Sequence, residues 1–158
     1  MPTVLVVYDS KTGNTEKMAL KIAEGAKQVG VNVIMKRVEQ AKIEDLLRAD
    51  GIVFGSPTYY GQMSASMKAL IDKSVEVHGQ LEGKVGAAFT SSGGTATGAE
   101  TTLLSILEAM LVHGMIVQGD PHNKHYGAAA VGPPSDKERR SCNKLGERAA
   151  RLVIKLKK

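Results

Sequence analysis

The sequence predicts an α/β fold, a parallel sheet with helices on both faces. Three observations carry this. Apolar strand-like runs alternate with amphipathic stretches five times along 158 residues. Those runs are near-continuously apolar, as strands covered on both faces are. The first run, Val4-Leu5-Val6-Val7-Tyr8, turns through Ser10-Lys11-Thr12-Gly13-Asn14-Thr15 directly into a helical pattern, which is the order of a crossover unit.

Each element follows from local pattern. The first strand is expected at about Thr3 to Tyr8 and the first helix from Thr15 to Val29, with Met18, Ile22 and Ala26 on one face and Gly30 as its stop. Val31 to Val38 reads as the second strand, Ile43 to Arg48 as a short helix, and Gly51 to Gly55 as a buried strand. A third helix is expected from Met63 to Val77, ended near Gly79, followed by a strand from Lys84 to Thr90. Thr97 with Glu100 three residues on has the capping-box spacing and starts a fourth helix that runs to His113, with Gly114 as a left-handed stop. Met115 to Gln118 is the fifth strand. Ser135 with Glu138 repeats the capping box, and Cys142, Leu145, Ala149, Leu152 and Leu156 form one face of the last helix. No linker, repeat or low-complexity segment divides this pattern, so residues 1–158 read as a single domain.

Composition narrows the function classes. There is no run of eighteen apolar residues and no basic-then-apolar N-terminal segment, so neither a membrane span nor a secretory signal is expected. Cys142 is the sole cysteine, which excludes an internal disulfide and suits the cytoplasm. The net charge of +5 is concentrated in residues 136–158, which alone carry nine Lys or Arg against three Asp or Glu. No aromatic residue interleaves with these cations, so the basic run reads as a solvated helix face and no nucleic-acid platform is expected.

In such sheets ligands bind beyond the carboxyl ends of the strands, where strand order reverses. The turn Ser10, Lys11, Thr12, Gly13, Asn14, Thr15 has the chemistry of an anion site, with free N–H groups at a helix start, three hydroxyls, and a glycine that permits positive φ. It lacks the spacings of dinucleotide and nucleoside-triphosphate loops; the alternative is a helix cap with two spare hydroxyls. After the third strand, Pro57, Thr58, Tyr59, Tyr60 and Gly61 place two aromatics in a rigid turn, suited to a flat ligand or to simple packing. After the fourth, Ser91, Ser92, Gly93, Gly94 and Thr95 form a small, uncharged loop that either approaches a ligand closely or is merely flexible. The stretch from Gly119 to Pro134 is long for a compact domain and holds His122, His125 and Tyr126; no third ligand accompanies the two histidines, so no metal is expected. His113, at a helix C-terminus, reads as a partial cation that complements the helix dipole.

The residues Ser10 to Thr15 match Ser/Thr-x-Thr-Gly-x-Thr, and with Gly55-Ser56-Pro57-Thr58-Tyr59-Tyr60-Gly61-Gln62-Met63-Ser64, Phe89-Thr90-Ser91-Ser92-Gly93, Glu100-Thr101-Thr102-Leu103-Leu104-Ser105 and His113-Gly114-Met115 the chain resembles the flavodoxin-like superfamily. Within it, the chain is most similar to the tryptophan-repressor-binding-protein-like NAD(P)H:quinone oxidoreductases. The resemblance implies a flavodoxin-like three-layer sandwich with a five-stranded parallel sheet in the order 2-1-3-4-5. It implies FMN, with its phosphate on Ser10 to Thr15 and its ring between Thr58-Tyr59-Tyr60 and Ser91 to Thr95. It implies NAD(P)H and a quinone as partners, and it matches His113 to a histidine near the flavin, a candidate catalytic residue. The chain is shorter than that family between strands two and three and after strand five, where tetramer contacts arise, so a homo-oligomer stays open. The other readings are a flavodoxin-type one-electron carrier acting with a redox protein, which a pI near 9.3 opposes, and a phosphorylation receiver, which Gly55-Ser56 opposes because no Asp ends the third strand.

Overall fold

A computed structural model describes residues 1–158. Strands β1 (Thr3–Tyr8), β2 (Asn32–Arg37), β3 (Gly51–Pro57), β4 (Val85–Ser92) and β5 (Ile116–Val117) form a parallel sheet in the order β2-β1-β3-β4-β5. This is the predicted flavodoxin-like arrangement. The helices are α1 (Asn14–Gln28), α2 (Ile43–Arg48), α3 (Ala65–Lys73), α4 (Ala99–Val112) and α5 (Asp136–Leu156). Two apolar clusters of 18 buried residues lie on the two faces of the sheet. One holds Val4, Val6 and Tyr8 with α1 and α5 residues; the other holds Leu5 and Val7 with residues of α2, α3 and α4. Alternating side chains of one central strand thus feed both cores.

The sheet departs from prediction at its edge. A sixth strand, β6 (Ala128–Val131), pairs in parallel with the upper half of β4, from Phe89↔Ala128 to Ser92↔Val131, while β5 pairs only with Val85 and Gly86. The residues read as a loop from Gly119 to Pro134 are therefore partly sheet. Three consecutive alanines have weak strand propensity, which hid β6 in the sequence. Its pairing instead depends on close approach, since a Cβ on Gly127 would lie 2.1 Å from the Ala88 carbonyl oxygen.

Two helix readings also change. Thr97 does not cap α4: its hydroxyl donates to the Gly94 carbonyl (2.8 Å), and Gly98 at φ 108 occupies the cap position. A Cβ at Gly98 would fall 2.6 Å from Gly61 Cα, so the two loops touch backbone to backbone and only glycine fits. On α5 the predicted box is present, with Ser135 and Glu138 each bonding the other's backbone. Its buried face, however, is Cys142, Gly146, Ala149, Ala150 and Val153, whereas Leu145 and Leu152 are half-buried and Leu156 is exposed. Contact with α1 sets that face, through small residues that let the helices approach.

The ends of the predicted α3 and β2 are tighter than expected. Ser74–Val77 and Val38–Gln40 are 3-10 turns, a common way to finish an element.

Candidate functional site

The loops after β1, β3 and β4 meet on one rim of the sheet. The hydroxyls of Thr15 and Ser91 share a hydrogen bond of 2.7 Å, tying the start of α1 to the end of β4. Thr58 N–H donates to the Ser91 carbonyl (2.8 Å), and the hydroxyls of Thr58 and Thr90 share a bond of 2.7 Å. Residues up to 76 positions apart in sequence are thereby fixed against each other.

The loop after β1 is built to present donors. Ser10 Oγ accepts from the N–H groups of Gly13 and Glu16, both at 3.2 Å, which folds the loop over the helix start. Gly13 stands at φ 92, a left-handed value that glycine permits. The N–H groups of Thr12, Asn14 and Thr15 have no acceptor within the chain, and they sit at the positive end of the α1 dipole. That array fits a phosphate and leaves the Ser10 hydroxyl proton free to join it.

Two residues not singled out from the sequence lie at this loop. Arg37, at the end of β2, donates to the Ser10 carbonyl (3.3 Å), pairs with Glu16 and lies 5.4 Å from the centre of the Tyr8 ring. The signal for it was the strand order: a cation ending the strand beside β1 must lie near the loop that leaves β1. Asp9 is the other, 1% exposed with neither carboxylate oxygen hydrogen-bonded.

The second and third loops offer a surface for a flat group. Tyr60 is fully exposed at φ 51, beside Gly61 at φ 75, and Tyr59 is 43% exposed. The bridge between Tyr59 and Gln62 closes this turn in both directions, each N–H donating to the other's carbonyl at 3.0 Å. Pro57 ends β3 and is buried. Opposite, Ser91 and Ser92 are buried, whereas Gly93 and Thr95 are exposed and Gly94 accepts bonds from Ser92 and Thr97. Lys11 and Thr12 are exposed beside them. An apolar, exposed aromatic pair, an uncharged small-residue loop and a phosphate cradle within one rim are what a phosphorylated planar cofactor such as FMN requires.

His113 does not reach this rim. It follows α4 at the far end of the sheet, where the next residues pair with Lys84 and Val85 at the start of β4. The span from Val85 to Ser91, about 20 Å at 3.3 Å per residue, separates it from the Ser91 and Ser92 end of β4. Its Nε2 shares a 2.7 Å bond with Ser74 Oγ, which itself donates to the Ile71 carbonyl. Its Nδ1 is buried without a partner. Burial, with His78 5.8 Å away ring to ring, holds the imidazole below its usual range, so the expectation of a helix-end cation is corrected to a neutral, packed ring.

This has a pH consequence. The unfolded chain, with an ordinary histidine, takes up a proton near pH 6.5 that the folded state resists. Stability is therefore complete above that pH and falls as pH drops below it. Urea titrations at pH 7.5 and 5.5 are expected to show a larger loss for the wild type than for His113→Gln; equal losses would refute the assignment.

A separate polar cleft, of about 230 Å³, lies between the β5–β6 loop and α5 and includes His122, His125, Lys144 and Arg148. Arg148 is held there by Asp120 and the Gly119 carbonyl. No three His, Cys, Asp or Glu side chains converge to hold a metal. Cys142 is fully buried, and burial reinforced by Glu138 pushes its thiol up to about 12, so it supplies no thiolate near neutral pH.

With this geometry in place, the relatives of the chain are informative. Residues 40–124 match the NADPH-dependent FMN reductase family. A flavodoxin of Aquifex aeolicus is 42% identical over 162 residues, spanning 97% of this chain and 88% of that protein. An NAD(P)H dehydrogenase (quinone) of Archaeoglobus fulgidus is 38% identical, spanning 99% of this chain and 100% of that one. The crystal structure of a flavodoxin, WrbA-like protein from Agrobacterium tumefaciens superimposes with a TM-score of 0.84 at 26% identity, covering 98% of this chain and 99% of the other. Full-length similarity on both sides, together with a sheet of matching order and a rim suited to FMN, makes this chain a member of the NADPH-dependent FMN reductase family with a flavodoxin-like, WrbA-type fold.

Proposed function

We propose that the chain is an FMN-dependent oxidoreductase that takes two electrons from NAD(P)H and passes them to a quinone or similar small acceptor. The observation that carries this is the joining of the three rim loops by the Thr15–Ser91 and Thr58–Thr90 bonds, with unpaired N–H donors on one side and exposed Tyr59 and Tyr60 on the other. In this reading Ser10, Lys11, Thr12, Gly13, Asn14 and Thr15 hold the phosphate. Pro57, Thr58, Tyr59, Tyr60 and Gly61 line one side of the ring, and Ser91, Ser92, Gly93, Gly94 and Thr95 bracket the other. Bound FMN would supply the hydride and electron-transfer chemistry. The protein supplies position and field. No carboxylate lies in residues 56–62 or 90–98, so the loops touching the ring meet added negative charge with backbone donors. His113, at the opposite end of the sheet, has no place in this site. The proposed setting is the cytoplasm, where NAD(P)H is available.

The test is anaerobic stopped-flow mixing of the FMN-loaded protein with NADH and with NADPH. Bleaching of the flavin absorbance within seconds by at least one nucleotide is expected, followed by recovery of colour when a benzoquinone is added. Failure of both nucleotides would sink the enzymatic reading.

One feature favours a carrier role instead. Gly61 at φ 75 next to Tyr60 at φ 51 is a turn in which a peptide can reorient toward a bound ligand at low cost. A redox titration separates the two, because a carrier accumulates a one-electron stage and a two-electron reductase does not. The cations of α5 weigh against the carrier, since they would repel a basic redox partner.

A further inference from the structure

Asp9 is the one buried charged residue in the chain. Its N–H continues the β1–β3 ladder, donating to the Gly55 carbonyl at 2.9 Å, yet neither Oδ has a donor. Strand alternation places it on the face of Leu5 and Val7, which pack with Phe54, Met63 and Met67. The hydroxyl across from it, Ser56 Oγ, is already engaged, donating to the Pro57 carbonyl and accepting from Ser64 N–H, both at 2.8 Å. Arg37, the cation tied to the adjacent Ser10 carbonyl, is occupied by Glu16 and the Tyr8 ring. A carboxylate withdrawn from water without donors is costly, and a fold that retains one needs a reason.

Its place in the sheet supplies the reason. Tyr8 is in register with Gly55, and Ser56 with Thr90. Asp9 thus lies one strand spacing from Ser56 and two from Thr90, about 5 and 10 Å, and directly precedes the phosphate cradle. Burial away from water leaves its field less screened than that of a surface carboxylate.

We propose that Asp9 is the residue that sets the reduction potential of the bound flavin. This rests on the FMN reading above. Its negative charge, fixed beneath the rim, opposes the negative charge that reduction adds to the ring and opposes the phosphate dianion beside it. The bound cofactor is thereby made a stronger electron donor than the uncharged loops alone would make it. Asp9 touches neither substrate nor ring; it is a tuning residue.

The test is Asp9→Asn, which keeps the shape and removes the charge, with Asp9→Ser as a second neutral variant should the first fold poorly. Midpoint potentials are read by equilibration with a reference dye, and dissociation constants for FMN and riboflavin by quenching of flavin fluorescence. A unit charge at roughly 10 Å through an effective dielectric near 20 shifts an equilibrium about ten-fold. The neutral variants are therefore expected to raise the ratio of fully reduced to oxidised flavin about ten-fold overall at a fixed potential, because two-electron reduction adds one net negative charge to the ring. They are also expected to bind FMN several-fold more tightly, with riboflavin affinity unchanged. A potential within two-fold of wild type in that ratio overturns the proposal, as does weaker FMN binding by the variants. A change in melting temperature alone does so too, because it would mark a purely structural role. If wild type and variants all fail to bind flavin, the functional reading itself falls, and this one with it.

Discussion

Gly146→Val is expected to unfold the protein or lower its stability by about 3 kcal/mol or more. Helices α1 and α5 cross where Gly25 faces Asn143 and Gly146 faces Ile22. A Cβ at Gly146 would lie 1.9 Å from the Ile22 carbonyl oxygen, and one at Gly25 1.9 Å from that of Asn143. Both obstacles are backbone, which cannot rotate aside as a side chain would. The helices would have to separate, opening the cluster of Met18, Ile22, Cys142, Ala149 and Val153. For a chain of this size each kcal/mol moves the melting temperature by about 2–4 °C, so a fall of roughly 10 °C is the threshold to look for in a thermal melt. A fall of less than 3 °C would mean that the helices are not held at backbone contact. Gly30→Ala is the contrast: a Cβ there meets nothing within 4 Å, and only its φ of 95 resists substitution.

Thr12→Glu is expected to weaken FMN binding about 100-fold, the loss of one or two charge-assisted hydrogen bonds plus repulsion. Thr12 is exposed and its N–H faces outward unpaired at the α1 start. A carboxylate there occupies the cradle and repels the phosphate, while a negative charge at a helix N-terminus leaves the fold no less stable. Riboflavin, which lacks the phosphate, should bind both forms equally. Fluorescence titration with the two flavins reads this directly. Equal losses for both ligands would place the phosphate elsewhere, and unchanged FMN affinity would remove Ser10 to Thr15 from the site.

Much of this was legible in the residues. Periodicity placed β1 and α2 at their observed ends and the other helices close to theirs, because each buries one continuous apolar face. The loop proposed to hold the phosphate stood out in the sequence because its features are local: a strand end, a glycine that permits positive φ and hydroxyls at a helix start all lie within six residues. What was missed depended on neighbours distant in sequence. Strand β6 is three alanines and a valine, and it is a strand only because β5 leaves the upper edge of β4 open. Gly98, not Thr97, caps α4 because Gly61 comes within contact of it. His113 has a dipole-complementing position in sequence, but burial beside Ser74 and His78 decides that it is neutral. Asp9 was passed over because nothing in its own segment marks it: its burial without a hydrogen-bond partner for either Oδ is set by the neighbours the fold brings round it.

The sequence by itself determined the order of the first five strands and the five helices, the doubly covered sheet and the identity of the three loops that leave its carboxyl edge, because backbone periodicity and helix-start chemistry are properties of short segments. Only the tertiary structure decided which of the chemically suitable residues share a site. Contacts such as Thr15–Ser91 and Thr58–Thr90 join residues far apart along the chain, and the charge state of a group like His113 or the isolation of one like Asp9 is fixed by what packs around it.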